Sequence, residues 1–284
     1  MIVRNSFLEE KPSLYMVSTP IGNLGDITIR AIDTLKSVDL IYAEDTRNTR
    51  KLLTHFEIKT RLETYHEHNK DVAKVTILEQ LDKGLSVALV TDAGTPGISD
   101  PGFELVSYVK AKYPVVVIPG ASAILTALVG SGLVVQPFTF YGFLVRTKQK
   151  RQKELMTLKA LPHTTVFYES ANRIKETLQA IYDVFGQRHV CLARELTKQF
   201  ESYIEGDITE LIEQDFMLKG EFVIVVEGYQ KTIDKDESPR DRVLEYIALG
   251  YDHKEAIKVV AKEMGVNKNV VYQAVINDGG IKEK

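Results

Sequence analysis

The sequence predicts an α/β protein: a largely parallel sheet, then a second α+β domain, then a small C-terminal helical module. Three observations carry this. Short apolar runs alternate with helical patterns through the first half of the chain, the rhythm of βαβ units. After about Leu133, strand-like runs follow one another with fewer helices between them. From Arg240 onward the apolar positions recur at helical spacing. At 284 residues the chain is long enough for two domains, each with its own core.

The first domain, with the ligand-facing loops, is assigned to 12–133. Its strands are read in "SLYMVST", "DLIYAED", "RLETYHE", "SVALVTD" and "VVVIPG", with helices at Thr46–Phe56 and Asp71–Leu81 among them. Ligands of such sheets sit beyond the carboxyl ends of the strands. The loops after Ser18, Thr91 and Pro119 are therefore expected to line one crevice. The most apolar stretch, "VVVIPGASAILTALVGSGLVV", is broken by Pro119, three Gly and two Ser. It reads as strand, loop and buried helix, not as a membrane span.

The second domain, 134–230, holds strands in "PFTFYGFL", "TTVFYES", "HVCLAREL", "SYIEGD" and "EFVIVVEG", with a link near Gly132–Pro137. "QKTIDKDESPR" reads as a solvated linker. The module at 240–284 has helices in "DRVLEYIAL", "DHKEAIKVVAKEM" and "KNVVYQAVIND", the last two punctuated by Gly265. It suits a helix-turn-helix-like unit and, equally, a small packed bundle.

The net charge of −3 rules out a general polycation, so nucleic acid would have to meet local basic patches. The single cysteine, Cys191, excludes an internal disulfide and argues against a thiolate cluster. It reads as core, and a reducing cytoplasm fits. The opening "MIVRNSFLEEKPS" lacks the apolar core of a signal peptide. In "YHEHN", His66 and His68 alternate as if on one strand face, but no further ligands are evident, so no metal site is expected.

Three glycine- and proline-containing loops, "TPIGNLG", "TDAGTPG" and "PGASA", close three strands. None matches GxGxxG or a P-loop, and none supplies basic residues for a polyphosphate. They offer backbone groups and small hydroxyls, which suit a ligand bearing an adenosine and an amino acid. Asp100, followed by Pro101, reads as the N-cap of a helix in "PGFELVSYVKAKY".

"AEDTRNTRKLL" ends a strand with Glu44 and Asp45; Asp45 or Thr46 can cap the next helix. Arg47, Arg50 and Lys51 then share one helical face. Glu44, Asp45 and Arg47 form a candidate catalytic group, a carboxylate base beside a phosphate anchor, with Arg50 and Lys51 as further candidate phosphate contacts. The sequence does not choose among the carboxylates, and a capped, solvated helix is the alternative. "VRTKQKRQK" packs five basic residues into nine, among them Arg146, Lys148, Lys150 and Arg151. An acidic protein that binds nucleic acid needs such a patch. "YESANR" and "ARELTK" add Arg173, Arg194 and Lys198, which face a nucleic acid or pair with neighbouring Glu169 and Glu195.

"STPIGNLGDIT", "AEDTRNTRKLL", "YHEHN", "VALVTDAGTPGISDPG", "PGASA", "FYGFL", "ARELTKQFE" and "GEFVIVVEG", in that order, resemble the ribosomal RNA small subunit methyltransferase I family. That family lies within the tetrapyrrole-methylase-like superfamily, and the resemblance spans nearly the whole chain. It implies two α/β domains of the tetrapyrrole-methylase type with S-adenosylmethionine in the cleft between them, and a homodimer. It also implies a cytoplasmic enzyme that 2′-O-methylates a cytidine of 16S ribosomal RNA near the decoding centre, with naked RNA or the small subunit as substrate. By the same resemblance, Pro20, Gly22 and Leu24 contact the cofactor, as do Asp92, Gly94 and Thr95 at its methionine part. Ser122 and Ala123 follow, with Tyr168 and Phe222 at the adenine. Asp92 has its own rationale: a carboxylate accepts from an ammonium and favours a nearby sulfonium, although it could instead organise an Asx-turn. Two other readings compete: a small-molecule methylase of the same fold, and a non-enzymatic regulator that binds nucleic acid through the C-terminal helices.

Overall fold

The computed structural model describes residues 12–214, 219–230, 238–248 and 251–277. Among them one compact unit runs to Tyr229 and a second starts at Gln230. Most of the linker "QKTIDKDESPR" and of the N-terminal stretch lies outside the described residues.

The first sheet contains β1 (Leu14–Val17), β2 (Leu40–Ala43), β3 (Arg61–Thr64), β4 (Val87–Val90) and β5 (Val115–Ile118). Their order is β3-β2-β4-β1-β5, and every pairing is parallel. The intervening helices are α1 (Ile29–Ser37), α2 (Thr46–His55), α3 (Lys70–Asp82) and α4 (Phe103–Val109). Alternate residues of a strand face opposite sides. Leu14 and Met16 pack with Ile77, Leu81 and Leu105, while Val17 packs with Ala31, Leu35 and Leu53. Both faces are covered, which is why these strands read as unbroken apolar runs.

Next comes α5 (Ala123–Gly130), capped by the Ser122 hydroxyl. The sequence led to a buried helix here, and this is corrected. Ala127 and Leu128 are buried, but Leu125 and Val129 on the other side are 53% and 71% exposed.

The second sheet contains β6 (Phe138–Phe143), β7 (Thr164–Ser170), β8 (His189–Arg194), β9 (Ser202–Asp207) and β10 (Glu221–Val226), ordered β6-β7-β10-β8-β9. Only the β6–β7 pairing is parallel. On one face lie α6 (Lys148–Leu158), α7 (Ile174–Phe185) and α8 (Ile208–Glu213), whose Leu155, Leu178 and Ile208 pack on Phe222, Ile224 and Val226 of β10. On the other face α5 packs on Val223 and Val225. Cys191 is buried there, and burial pushes its thiol up to about 12, as suits a core residue.

In the second unit α9 (Pro239–Ala248), α10 (His253–Glu263) and α11 (Lys268–Asn277) close around Val243, Ile257, Val260, Val271 and Val275. Gly265 ends α10 at φ +62°. The Gly265 N–H donates to Lys262 O and the Val266 N–H to Ala261 O, a Schellman motif that needs a left-handed residue.

His66 and His68 do not share a strand face. β3 ends at Thr64, and both lie in the turn before α3, where His66 N–H donates to Asn69 Oδ1 at 2.8 Å. Their rings meet edge to face at 5.9 Å. Asn69 also donates to the Thr64 carbonyl, so it closes the turn before the strand can continue.

Candidate active site

The C-terminal ends of the parallel strands open onto one cleft, facing the second sheet. The loops there are tied to each other. Thr19 and Gly94 pair as an isolated bridge, the Thr19 hydroxyl donates to Thr91 O at 3.0 Å, and Ser18 Oγ lies 2.8 Å from Thr95 Oγ1. A side chain at Gly120 would come within 2.8 Å of Ser18 Cβ, so glycine lets the third loop close against the first.

These loops and the facing strands enclose a cavity of about 390 Å³. Ile21, Thr91–Thr95, Ser122–Ile124 and Glu44 line one side; Phe143, Tyr168–Ser170, Leu196 and Glu221–Val223 line the other. A more open groove of about 580 Å³ lies beside β3 and α3, but it borders Asp39 and Leu40 at the start of β2 and lies away from these loops. The cleft is therefore the candidate site.

Asp92, Gly94, Thr95, Ser122, Ala123 and Tyr168 all reach the cavity. From the first loop only Ile21 lines it; Pro20, Gly22 and Leu24 do not. Gly22 instead meets Lys198, whose Cγ would lie 2.5 Å from a Cβ built there. Phe222 lines the cavity, but its ring belongs to the opposite core with Leu178 and Ile224. By strand alternation, Val223 turns its side chain to the inner face, and Phe222 has mainly backbone to offer a ligand.

The carboxylates divide by partner. Asp45 caps α2 through its bond to the Arg47 N–H at 2.8 Å and grips the Arg47 guanidinium at 2.7 Å. These bonds hold its carboxyl down to about 2. It does not line the cavity, so its place is that of a cap beside the cleft. Glu44 does line the cavity and accepts from Thr91 Oγ1 at 3.1 Å. Asp92 accepts from Asn48 Nδ2 at 3.0 Å.

Asp100 is not the cap expected from sequence. The N-cap of α4 is Gly102, which makes no side-chain cap bond, and Asp100 lies in the cavity wall. Burial pushes its carboxyl up to about 6; the negative charges of Glu44 and Asp92 add to this, and a hydrogen bond from Thr91 opposes it. Aspartate-proline suggests a cap whatever the tertiary setting, so no local signal separated the two roles. Glu169, which the sequence offered only as an ion-pair partner, is buried in the same wall.

The basic residues also divide. Arg47, Arg50 and Lys51 share an exposed groove with Thr54 and His55. Arg146, Lys148 and Lys150 are exposed on and before the first turn of α6. Arg151 is corrected: it is 1% exposed, on the inner face of α6 with Leu155 and Leu158, and it pairs with Glu176 at 2.5 Å. Helical geometry turns Arg151 inward while its neighbours point out. Arg173 is corrected too. Its largely buried guanidinium donates to Leu144 O at 3.1 Å and pairs with Glu169 at 3.5 Å. Lys198 bridges Glu195 and Glu221 at 3.0 Å each, and Arg194 donates to Lys219 O.

The family model described as Tetrapyrrole (Corrin/Porphyrin) Methylases matches residues 13–212. The chain is 47% identical to "Ribosomal RNA small subunit methyltransferase I" of Halalkalibacterium halodurans, over 93% of this chain and 94% of that one. It is 49% identical to the protein of that name from Bacillus subtilis, over 92% and 93% of the two chains. The chain belongs to the ribosomal RNA small subunit methyltransferase I family. Solved structures share this family's fold at lower identity. A diphthine synthase matches with TM-score 0.59 at 16% identity, covering 76% of this chain and 90% of its own. Uroporphyrin-III C-methyl transferase of Thermus thermophilus, complexed with S-adenyl homocysteine, matches with TM-score 0.54 at 16% identity over 75% and 96%.

Proposed function

We propose that this chain transfers a methyl group from S-adenosylmethionine to the ribose 2′-oxygen of a cytidine in 16S ribosomal RNA, near the decoding centre. The observation that carries the reading is the lining of the cleft: carboxylates and small hydroxyls on apolar walls, with no lysine or arginine among the described residues. Such walls reject a polyphosphate and suit a compact cation bearing an adenosine and an amino acid. The names of the relatives and the bound molecule of the Thermus enzyme support the same reading.

The residues fit that donor. Asp92 would accept from its ammonium and balance its positive sulfur. Thr95 and Ser122 would supply hydroxyls, and Ile21, Ile124, Leu196, Val223 and Tyr168 an apolar seat for the adenine. Once bound, the sulfonium supplies a methyl group already activated for transfer. What remains for the protein is to exclude water, align the ribose and take up a proton.

RNA would be held from outside the cavity. The chain runs from Phe143 in the cavity wall through exposed Arg146 to Lys148 and Lys150. Arg47, Arg50 and Lys51 offer a second set of phosphate contacts, which position the substrate without reading its sequence.

The proposed particle is the small ribosomal subunit in the cytoplasm, and the proposed enzyme a homodimer. Val117, Leu125, Val129, Val134 and Val135 expose apolar side chains on consecutive segments from β5 to the approach to β6. A second copy covering them would remove that area from water. No helix among the described residues is long and apolar enough to cross a membrane.

The test is nucleoside mass spectrometry of small-subunit RNA after incubating unmethylated 30S particles with the protein and S-adenosylmethionine. A new 2′-O-methylcytidine supports the proposal. A methyl group elsewhere, or none while the donor still binds, overturns it.

A further inference from the structure

Resting on that reading, we infer that the ring of Phe143 is the platform on which the base of the target nucleotide stacks. The place of this ring is made by an irregularity in β6. Phe140 stands opposite Val166 of β7, but it is Gly142, not Tyr141, that stands opposite the next residue, Phe167. Tyr141 is thus the extra residue of a β-bulge. Neighbours along a strand alternate between the faces of the sheet, and residues opposite each other share a face. Without the bulge, alternation from Phe140 would send Phe143 to the face of Phe167, into the core that Tyr141 joins. With it, Phe143 stands opposite Tyr168 and lines the cavity. Gly142 sits in the bulge at φ +91°, and a Cβ there would meet nothing closer than 3.6 Å. The backbone conformation, not crowding, therefore calls for glycine.

The re-aimed ring is 55% exposed, with its centroid 5.4 Å from that of Tyr168. The other aromatic side chains of the cavity wall are less open: Tyr168 is half-buried, and Phe222 is buried in the opposite core. The backbone beyond the ring is pinned. Leu144 is buried and its carbonyl accepts from Arg173 at 3.1 Å, while the Val145 N–H donates to Glu154 Oε2 at 3.1 Å. Arg146 follows, exposed, and leads to Lys148 and Lys150.

A fixed aromatic face thus stands between the seat proposed for the donor and the residues proposed to hold phosphates. The base of the target nucleotide must lie there when its ribose enters the cleft. The cleft is enclosed by two sheets, so a ribose enters it only when its nucleotide leaves the stack of a helix. The splayed base then needs a new stacking partner, and an exposed ring supplies one. Every base has a π-face, so the platform holds the nucleotide and leaves the choice of base to other contacts.

The experiment compares the full chain with Phe143→Leu, which keeps an apolar side chain without the ring face, and with Phe143→Tyr, which keeps the face. Single-turnover methylation of unmethylated 30S particles is followed against particle concentration at saturating donor, and donor affinity is titrated without RNA. The side chain is largely exposed, so both variants should melt with the wild type. Phe143→Leu should lose about 10- to 100-fold in efficiency and Phe143→Tyr no more than about threefold, with donor affinity within about threefold for both. Wild-type efficiency in Phe143→Leu, or equal losses in the two variants, overturns the inference and leaves the proposed reaction standing. Lost donor affinity in Phe143→Leu would give the ring to the donor's seat and overturn the inference as well. A wild-type protein that binds the donor and methylates no small-subunit RNA overturns the proposed function and this inference together.

Discussion

Thr19 and Gly94 exchange both backbone hydrogen bonds, Thr19 N–H to Gly94 O at 2.9 Å and Gly94 N–H to Thr19 O at 3.1 Å. This pair joins the loop after β1 to the loop after β4 and sets the floor on which the methyl donor is proposed to lie. Gly94 has φ +81°, and a Cβ there would meet nothing closer than 3.7 Å. The cost of a side chain is therefore conformational and not steric. Gly94→Ala should lower stability by about 1–2 kcal/mol and weaken donor binding. Thermal melts and a donor titration measure the two effects, and unchanged values in both would show that the bridge does not shape the site.

Three basic residues of one run should divide into two behaviours. Lys148→Glu with Lys150→Glu should weaken RNA binding, lower its salt dependence and leave donor affinity alone, because both side chains are exposed. Arg151→Ala should cost about 2–4 kcal/mol of stability, because its side chain is buried and paired with Glu176. Filter binding at several salt concentrations and chemical denaturation separate the two. A destabilised lysine double variant, or an Arg151 variant that only loses RNA, would reverse the division drawn here.

Asp100 also makes a prediction for stability without any substrate. Its folded-state value, about 6, lies above the usual aspartate value of 3.8. Between these, the folded state binds more protons than the unfolded state, so its contribution to stability falls as pH rises from about 4 to 6 and stays low above. Partial exposure screens the penalty to about 1–2 kcal/mol. Asp100→Asn should therefore melt higher than the wild type at pH 8, with the gap closing toward pH 4. A gap independent of pH would show that the folded protein does not perturb this carboxyl.

The exposed apolar face of α5 should govern assembly. Leu125→Lys with Val129→Glu places charge on residues that are 53% and 71% exposed, so the fold of the monomer should survive. If a second copy covers this face, light scattering after size exclusion should show a dimer for the wild type and a monomer for the variant. A dimer in both would move the interface elsewhere.

Much of the architecture was legible in the chain. All ten strand-like runs are strands, and the C-terminal pattern gives three helices. These readings rest on local periodicity, which burial on one or two faces imposes directly on the sequence. The loops after Ser18, Thr91 and Pro119 were equally legible, because chain direction in a parallel sheet brings all strand ends to one side. The family was legible as well, through an ordered series of loops.

What the sequence could not determine was which way individual side chains turn. Arg151 and Lys150 are adjacent in a basic run, yet helical rotation buries one and exposes the other. Phe222 and Val223 are adjacent in β10, yet the pleat sends their side chains into different cores. Asp100 looks like a cap because aspartate before proline so often is one, and only its burial in the cleft wall, with the charges of Glu44 and Asp92 nearby, makes it a perturbed group. Local patterns record the forces that act along a chain. The protonation and pairing of a side chain depend on neighbours that folding brings together from distant positions, and these the tertiary structure alone decided.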